Sequence, residues 1–170
     1  DGQIIFDLGF FRKGIRPAVN AGLSVSRVGG QAQTKRQKQL STALFKALAK
    51  YHQAEEFSHF STQLSDETRI DLNRGKHLYE ALQQPPSQLL NLTEQQILLE
   101  VIMNNETDLA IDVAGIKSVL SKRALEVKTE EDFDRIEAEL TTEFRAKPLE
   151  EVEQTAKNAT DSTEKTEAKK

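Results

Sequence analysis

The sequence predicts a mainly α-helical fold, a C-terminal helical bundle preceded by a short strand-and-loop segment. Three observations point there. From Thr34 onward, apolar residues recur every three or four positions, the period of an amphipathic helix. Residues 1–33 instead carry glycines at 2, 9, 14, 22, 29 and 30, punctuating apolar runs at 4–6 and 23–28, which is strand-and-loop composition. The 170-residue chain is 37% hydrophobic and 29% charged, a balance that suits a soluble helical domain with appendages.

Taken in order, the chain opens at Asp1 and enters the apolar run Ile4-Ile5-Phe6. A strand without a partner forms no stable sheet, so residues 1–33 are expected to be a piece of a longer polypeptide, cut inside a domain. Those six glycines and Gly115 are expected in loops, with Gly75 inside a helical pattern. Leu40, Leu44, Leu48 and Tyr51 line one face of a first helix from about 34 to 60, as core rather than as a cofactor box. Ser65 starts a second, with Asp66 and Glu67 suited to the helix dipole; Ile70, Leu78 and Leu82 supply its contacts and Pro85-Pro86 stop it. Thr93 and Gln96 predict a capping box for a third, with Leu92 and Ile97 as a hydrophobic staple and an end near Asn104-Asn105. Asp112 caps a fourth, bearing Val113, Ile116, Val119 and Leu120. Thr129 and Asp132 box a fifth, in which Phe133, Ile136, Leu140 and Phe144 follow at helical spacing before Pro148. The expected division is therefore 1–33, then a helical domain at 34–148, then a charged tail at 149–170. That tail has too little apolar surface to offset its ordering entropy.

Composition excludes several classes. The net charge of −4 gives no case for nucleic-acid binding. Without cysteine there are no disulfides or thiolate metal sites. No apolar run approaches the roughly 18 residues that span a bilayer, so membrane association would come through partners.

Arg27 is the first chemistry-bearing candidate. It stands in Gly22-Leu-Ser-Val-Ser-Arg-Val-Gly-Gly30, ringed by glycines and small hydroxyl residues. A guanidinium is always charged, and its planar donors match phosphate oxygens. On composition alone a surface arginine, or one in a local salt bridge, is the favoured reading, since isolated arginines are common. His52, His59 and His77 form no i,i+4 pair and read as solvated helix-face residues rather than a metal site. Glu55-Glu56 and Glu130-Glu131-Asp132 read as solvated carboxylates. Lys35, Arg36 and Lys38 read as solvent-exposed residues at a helix start. Gly29-Gly30 is not a P-loop, since no Gly-Lys-Ser/Thr follows.

A resemblance adds to this. Asp1-Gly-Gln-Ile4, Gly14-Ile-Arg-Pro-Ala18, Asn20, Gly22-Leu-Ser-Val-Ser-Arg-Val-Gly29, Ala32-Gln-Thr34, Phe57 with Phe60, Arg74-Gly75 and the Leu82/Gln84 stretch resemble the F-type ATP synthase alpha subunit. The likeness is near-literal over the first 34 residues, runs to about Asn105 and is dilute beyond about 110. The beta subunits of the family carry a tyrosine where this protein has Arg16, and Ser-Thr-Ser-Arg where it has Ser24-Val-Ser-Arg27; both differences favour alpha. The sequence departs from the family at Gln31, at Pro86 in place of a second glutamine, and over Glu100–Asp108.

The resemblance implies that residues 1–33 are the last strands and loops of a truncated P-loop α/β nucleotide-binding domain. It implies a regulatory subunit of a proton-translocating complex that makes ATP from ADP and phosphate. In that family three alpha and three beta subunits alternate around a central gamma stalk, with a peripheral stalk beside them. Arg27 matches the arginine that alpha lends to the beta catalytic site, and Ser24 a serine that supports it. Arg16, Pro17 and Gln84 match residues around the adenine of alpha's own non-catalytic nucleotide. The implied cofactor is ATP or ADP with Mg, the Mg ligands lying outside this chain. The implied location is peripheral, on the cytoplasmic face of a bacterial inner membrane or the equivalent organelle face, touching the membrane only through the proton-channel sector. Lacking a P-loop lysine and a Walker-B aspartate, the 170 residues alone are expected to be inactive. The alternative from another class is a non-enzymatic helical interaction module. A related rotary or export ATPase ranks below both, since it should lack the Gly14-Ile-Arg-Pro and Ser24-Val-Ser-Arg combination.

Overall fold

A computed structural model describes residues 2–58, 64–86, 89–105 and 110–145. It is mainly helical: α1 Leu8–Arg12, α2 Gly29–Ala32, α3 Lys35–Ser58, α4 Asp66–Leu82, α5 Leu92–Met103, α6 Val113–Ala124 and α7 Glu130–Phe144. His59, Phe60, Pro148 and the charged stretch 149–170 lie outside the described residues.

The bundle is organised around α5, which packs on α3, α4, α6 and α7. Its sequence, LTEQQILLEVIM, is apolar over most of its circumference, and Ile97, Leu98, Val101 and Ile102 are fully buried. A helix surrounded on all sides needs that composition. Its neighbours supply amphipathic faces: Leu48 of α3, Leu78 and Ala81 of α4, Ile116 and Leu120 of α6, and Ile136 and Leu140 of α7. Leu44 packs on this cluster from α3. Gly75 permits the closest approach, since a Cβ there would lie 2.1 Å from the Tyr51 ring, where no atom fits.

Ser65 caps α4 by accepting from the Thr68 amide, Asp112 caps α6 by accepting from the Gly115 amide, and Thr129 and Asp132 form the capping box of α7. The start of α5 differs from expectation by two residues. Asn91, not Thr93, is the cap, and it boxes with Glu94 rather than Gln96. Asn caps as well as Ser or Thr, and its amide leaves Thr93 free to enter the first turn. Leu92 is correspondingly exposed and staples nothing.

In residues 2–33 the expected strands shrink to two antiparallel bridges, Gln3 with Val25 and Phe6 with Val19. Between them the backbone turns through α1, capped by Asp7. Gly14 ends α1 at a φ of +83°, open to glycine without strain. Its amide donates to Phe11 O and that of Ile15 to Phe10 O, the paired bonds of a Schellman turn. Gly9, Gly29, Gly30 and Gly115 stand within helical turns rather than in loops. Short helices near a cap tolerate glycine, and a loop reading from composition misses them. No helix among the described residues is long and apolar enough to cross a membrane.

Candidate functional site

The Arg27 loop is braced by Asn20 and Ser24. The Asn20 carbonyl accepts from the Ser24 amide at 3.0 Å and from Ser24 Oγ at 2.6 Å, and Asn20 Oδ1 accepts from the Leu23 amide. Ser24 Oγ in turn accepts from the Ile5 amide at 3.0 Å, tying the loop to the first apolar run. Asn20 Nδ2 donates to Asp7. That bond, with the Phe10 and Gly9 amides, holds the Asp7 carboxyl below the usual carboxylate range. One residue beyond Ser24, the Val25 amide donates to Gln3 O, and the Val25 carbonyl accepts the return bond at 2.7 Å. Ser26 Oγ then accepts from the amide of Gly29, the first residue of α2, whose N-cap is Val28. Arg27 stands at this turn exposed to solvent, and its side chain makes no hydrogen bond or ion pair with any of the described residues.

Arg16, Pro17 and Gln84 come together at the other end of the segment. The Gln84 amide donates to Arg16 O at 3.0 Å, joining the stretch beyond α4 to the loop that precedes the cis Arg16–Pro17 peptide. Arg16 lies over the Phe11 ring at 3.7 Å, with Nη1 donating to the carbonyls of Phe11 and Ile15. Gln84 Oε1 accepts from the Leu90 amide, so the side-chain amide nitrogen is left to donate. Pro17 is exposed and Gln84 half-buried. Among the described residues, no group of three or more His, Cys, Asp or Glu side chains is placed to hold a metal ion.

Two clusters were not legible as such in the sequence. The first is centred on Arg36, which the sequence reading leaves in solvent at a helix start. Its side chain is only 22% exposed, and its guanidinium holds three carboxylates. Nε donates to Glu100 of α5 at 2.8 Å, and Nη1 to Asp134 at 2.8 Å and Glu130 at 3.2 Å on α7. The ring of Phe133 lies 5.0 Å from it. The Glu100 hydrogen bond dominates in pushing the Arg36 pKa up, against the opposing effect of burial. Thr34 and Gln37 box the start of the same helix: the Gln37 amide donates to Thr34 Oγ1 and the Thr34 amide to Gln37 Oε1. Gln37 reaches Gln96, which donates to Glu100. Partners sixty or more positions away leave no local signal, which is why spacing could not find them.

The second cluster is aromatic. Phe10 of α1 stacks on His52 of α3, Tyr51 and Tyr79 pack edgewise against the imidazole, and Tyr79 Oη hydrogen-bonds His52 Nε2 at 2.8 Å. Burial, with Tyr51 and Glu55 nearby, pushes the Tyr79 hydroxyl up to about 12. His52 is thus packed rather than merely solvated. His77 is half-buried, faces the Ile111 amide at 3.5 Å, and burial pulls its pKa down. Of the acidic pairs, Glu55 meets Lys13 and His52, and Asp132 is used in capping.

The family model described as ATP synthase alpha/beta chain, C terminal domain, matches residues 33–159. The protein is 46% identical over 116 residues to ATP synthase subunit alpha of Bordetella pertussis, a match covering 68% of this sequence and 22% of that protein. It is 46% identical over 108 residues to ATP synthase subunit alpha of Buchnera aphidicola subsp. Acyrthosiphon pisum, covering 64% of this sequence and 21% of that protein. It therefore spans about a fifth of the length of these curated relatives.

Proposed function

The protein belongs to the family of ATP synthase alpha/beta C-terminal domains, and from that premise we propose that it acts as the C-terminal part of an alpha subunit in a proton-translocating F-type ATP synthase. In this reading residues 1–33 end a nucleotide-binding domain, 34–148 form the helical domain and 149–170 are an appended charged tail. The partners are beta subunits, the gamma stalk and the peripheral stalk, on the cytoplasmic face of a bacterial membrane or its organelle equivalent.

The observation that carries the chemical part is Arg27: an exposed guanidinium without a partner among the described residues, on a turn braced at Ser24 and Val25. A guanidinium kept free on a fixed loop costs little reorganisation when it meets a phosphate on a neighbouring subunit. Arg27 would stabilise the charge that develops on the transferred phosphoryl group, and Ser24 would hold the loop through Asn20 and Ile5. Arg16, Pro17 and Gln84 would take the base of a non-catalytic ATP or ADP, with Gln84 supplying a donor and Pro17 an apolar face. The Mg of that nucleotide would be held by residues outside this chain. The isolated 170 residues are expected to hydrolyse no ATP.

The test is Arg27→Lys in the assembled complex. Lysine keeps the charge and loses the fork. Turnover is expected to fall by on the order of 10³, the scale of arginine fingers. Turnover within a few-fold of the parent complex would remove Arg27 from the catalytic machinery.

A further inference from the structure

We propose that Arg36 is a positioning residue for Arg27: it pins the exit of the Arg27 loop to the far side of the helical bundle. This inference rests on the finger reading above. The Arg27 turn is held on its entry side by the Gln3–Val25 bridge. On its exit side the backbone passes through α2 and the extended Gln33 before reaching the Thr34–Gln37 box. No residue of α2 is buried, so no core packing along it anchors the loop to the bundle. The first firm attachment of this exit segment to the bundle is Arg36, on the second residue of α3.

Arg36 makes that attachment with unusual reach. It joins α3 to Glu100 on the central helix and to Glu130 and Asp134 at the start of α7 in one planar fork. Glu100 is only 7% exposed, so its charge depends on Arg36 and on the amide of Gln96. A lysine could satisfy one of these carboxylates but not the set, because it lacks the fixed fan of donors. The start of α3 is therefore registered against α5 and α7 by a polar clasp rather than by the apolar core packing, which begins two turns deeper in the helix at Leu44 and continues at Ala47 and Leu48. Movement of α7 relative to α5 would be felt first at this clasp, and through the short α2 link at Arg27.

A positioning residue acts only through the group it positions, which separates it from a residue that merely stabilises the fold. The experiment is a double-mutant cycle in the assembled complex, reading kcat and KM for ATP hydrolysis at equal complex concentration. Arg36→Gln is expected to lower kcat about 10-fold with KM little changed, the scale of a small displacement of a catalytic group. In the Arg27→Lys background the same substitution is expected to lower kcat no further. The milder pair Glu130→Gln with Asp134→Asn leaves the buried Glu100 contact intact; it is expected to give a smaller loss of kcat, about 3-fold, with the same disappearance in the Arg27→Lys background. If Arg27→Lys abolishes turnover while both Arg36→Gln and the milder pair leave kcat unchanged, the positioning role is overturned and the finger stands. A kcat loss that multiplies undiminished in the double variant likewise overturns it. If Arg27→Lys retains near-parental turnover, the finger reading fails and the positioning role fails with it.

Discussion

Residues 2–33 and the bundle from Lys35 to Arg145 are built on different physics. The bundle has a continuous apolar core contributed by α3 to α7, in which ten side chains from Leu78 to Leu140 are essentially sealed from solvent. The first segment contributes nothing to that core. Its one buried apolar residue is Ala18, while Ile4, Phe6, Leu8, Phe11, Leu23, Val25 and Val28 are each more than half exposed. What shapes it is a set of directed hydrogen bonds through Asp7, Asn20 and Ser24. The lesson is a division of labour. Apolar burial holds the bundle together, and polar bonding shapes a loop whose apolar side chains remain exposed.

The largest expected effect breaks the bundle side of that comparison. Leu98 on α5 is fully buried at the centre of the core. Leu98→Ala should cost about 3–4 kcal/mol of unfolding free energy, from lost transfer energy plus a cavity that the surrounding helices cannot close. Urea titration of the 170-residue protein measures it. A loss under about 1 kcal/mol would mean that the core repacks easily and is not the rigid part.

Next comes the Arg36 clasp, the one place where the bundle relies on directed polar bonds as the first segment does. Arg36→Met would leave Glu100 charged and nearly enclosed. We expect a loss of about 2–3 kcal/mol, below the usual range for a buried pair because the arginine keeps some solvent contact. Replacing both partners, Arg36→Met with Glu100→Leu, should recover most of that loss, since no orphaned charge remains. Recovery in stability without recovery of kcat in the assembled complex would show that the clasp serves position more than folding.

The same division explains how much could be read from residues alone. Helix existence, the core faces of α6 and α7, Leu78 and Leu82 of α4, and the caps at Ser65, Asp112 and Thr129 follow from periodicity and short-range chemistry, whereas Ile70 of α4 lies outside the core cluster. The start of α5 lies two residues before the Thr93–Gln96 pair because an overlapping Asn91–Glu94 box forms there while Leu90 packs into the core. The first segment defeated composition. Its glycines suggest loops, yet Asp7 caps α1 through a side-chain bond two residues ahead, and Gly29 and Gly30 open α2. The Arg27 loop stood out by its residues, while its bracing by Ile5 across 19 positions did not. Arg36 was invisible for the same reason, with partners 64 to 98 positions away.

A smaller effect sharpens the bundle side through pH. Burial lowers the His77 pKa in the folded state below its ordinary value of about 6.5, with Lys76 adding to the shift and Glu80 opposing it. A depressed histidine pKa gives stability that is present above the unfolded pKa and lost as pH falls through the folded one. Burial raises the Glu137 pKa, which has the opposite sign: its contribution is present at low pH and lost as pH rises through the folded value. The two therefore oppose each other between neutral and mildly acidic pH, and single variants separate them. The stability difference between the parent and His77→Gln should shrink as pH falls from about 7 toward 5. The difference between the parent and Glu137→Gln should move the other way. A flat His77 difference across that window would mean that the imidazole is solvated.

The smallest expected effect tests the first segment directly. Phe6 is 71% exposed, and its bridge to Val19 uses only main-chain atoms. Phe6→Ser should change the unfolding free energy of the 170-residue protein by no more than about 0.5 kcal/mol. The reason is that the ring already faces water, so a polar replacement surrenders little burial, whereas the Ile5 amide bond to Ser24 and the Asn20 bonds beside it do not involve the ring. Amide exchange in residues 3–25 should be unchanged in the same variant. A loss near that of Leu98→Ala would erase the contrast between the two regions, because it would mean that the phenyl ring, and not the polar bracing, holds the Arg27 loop in place.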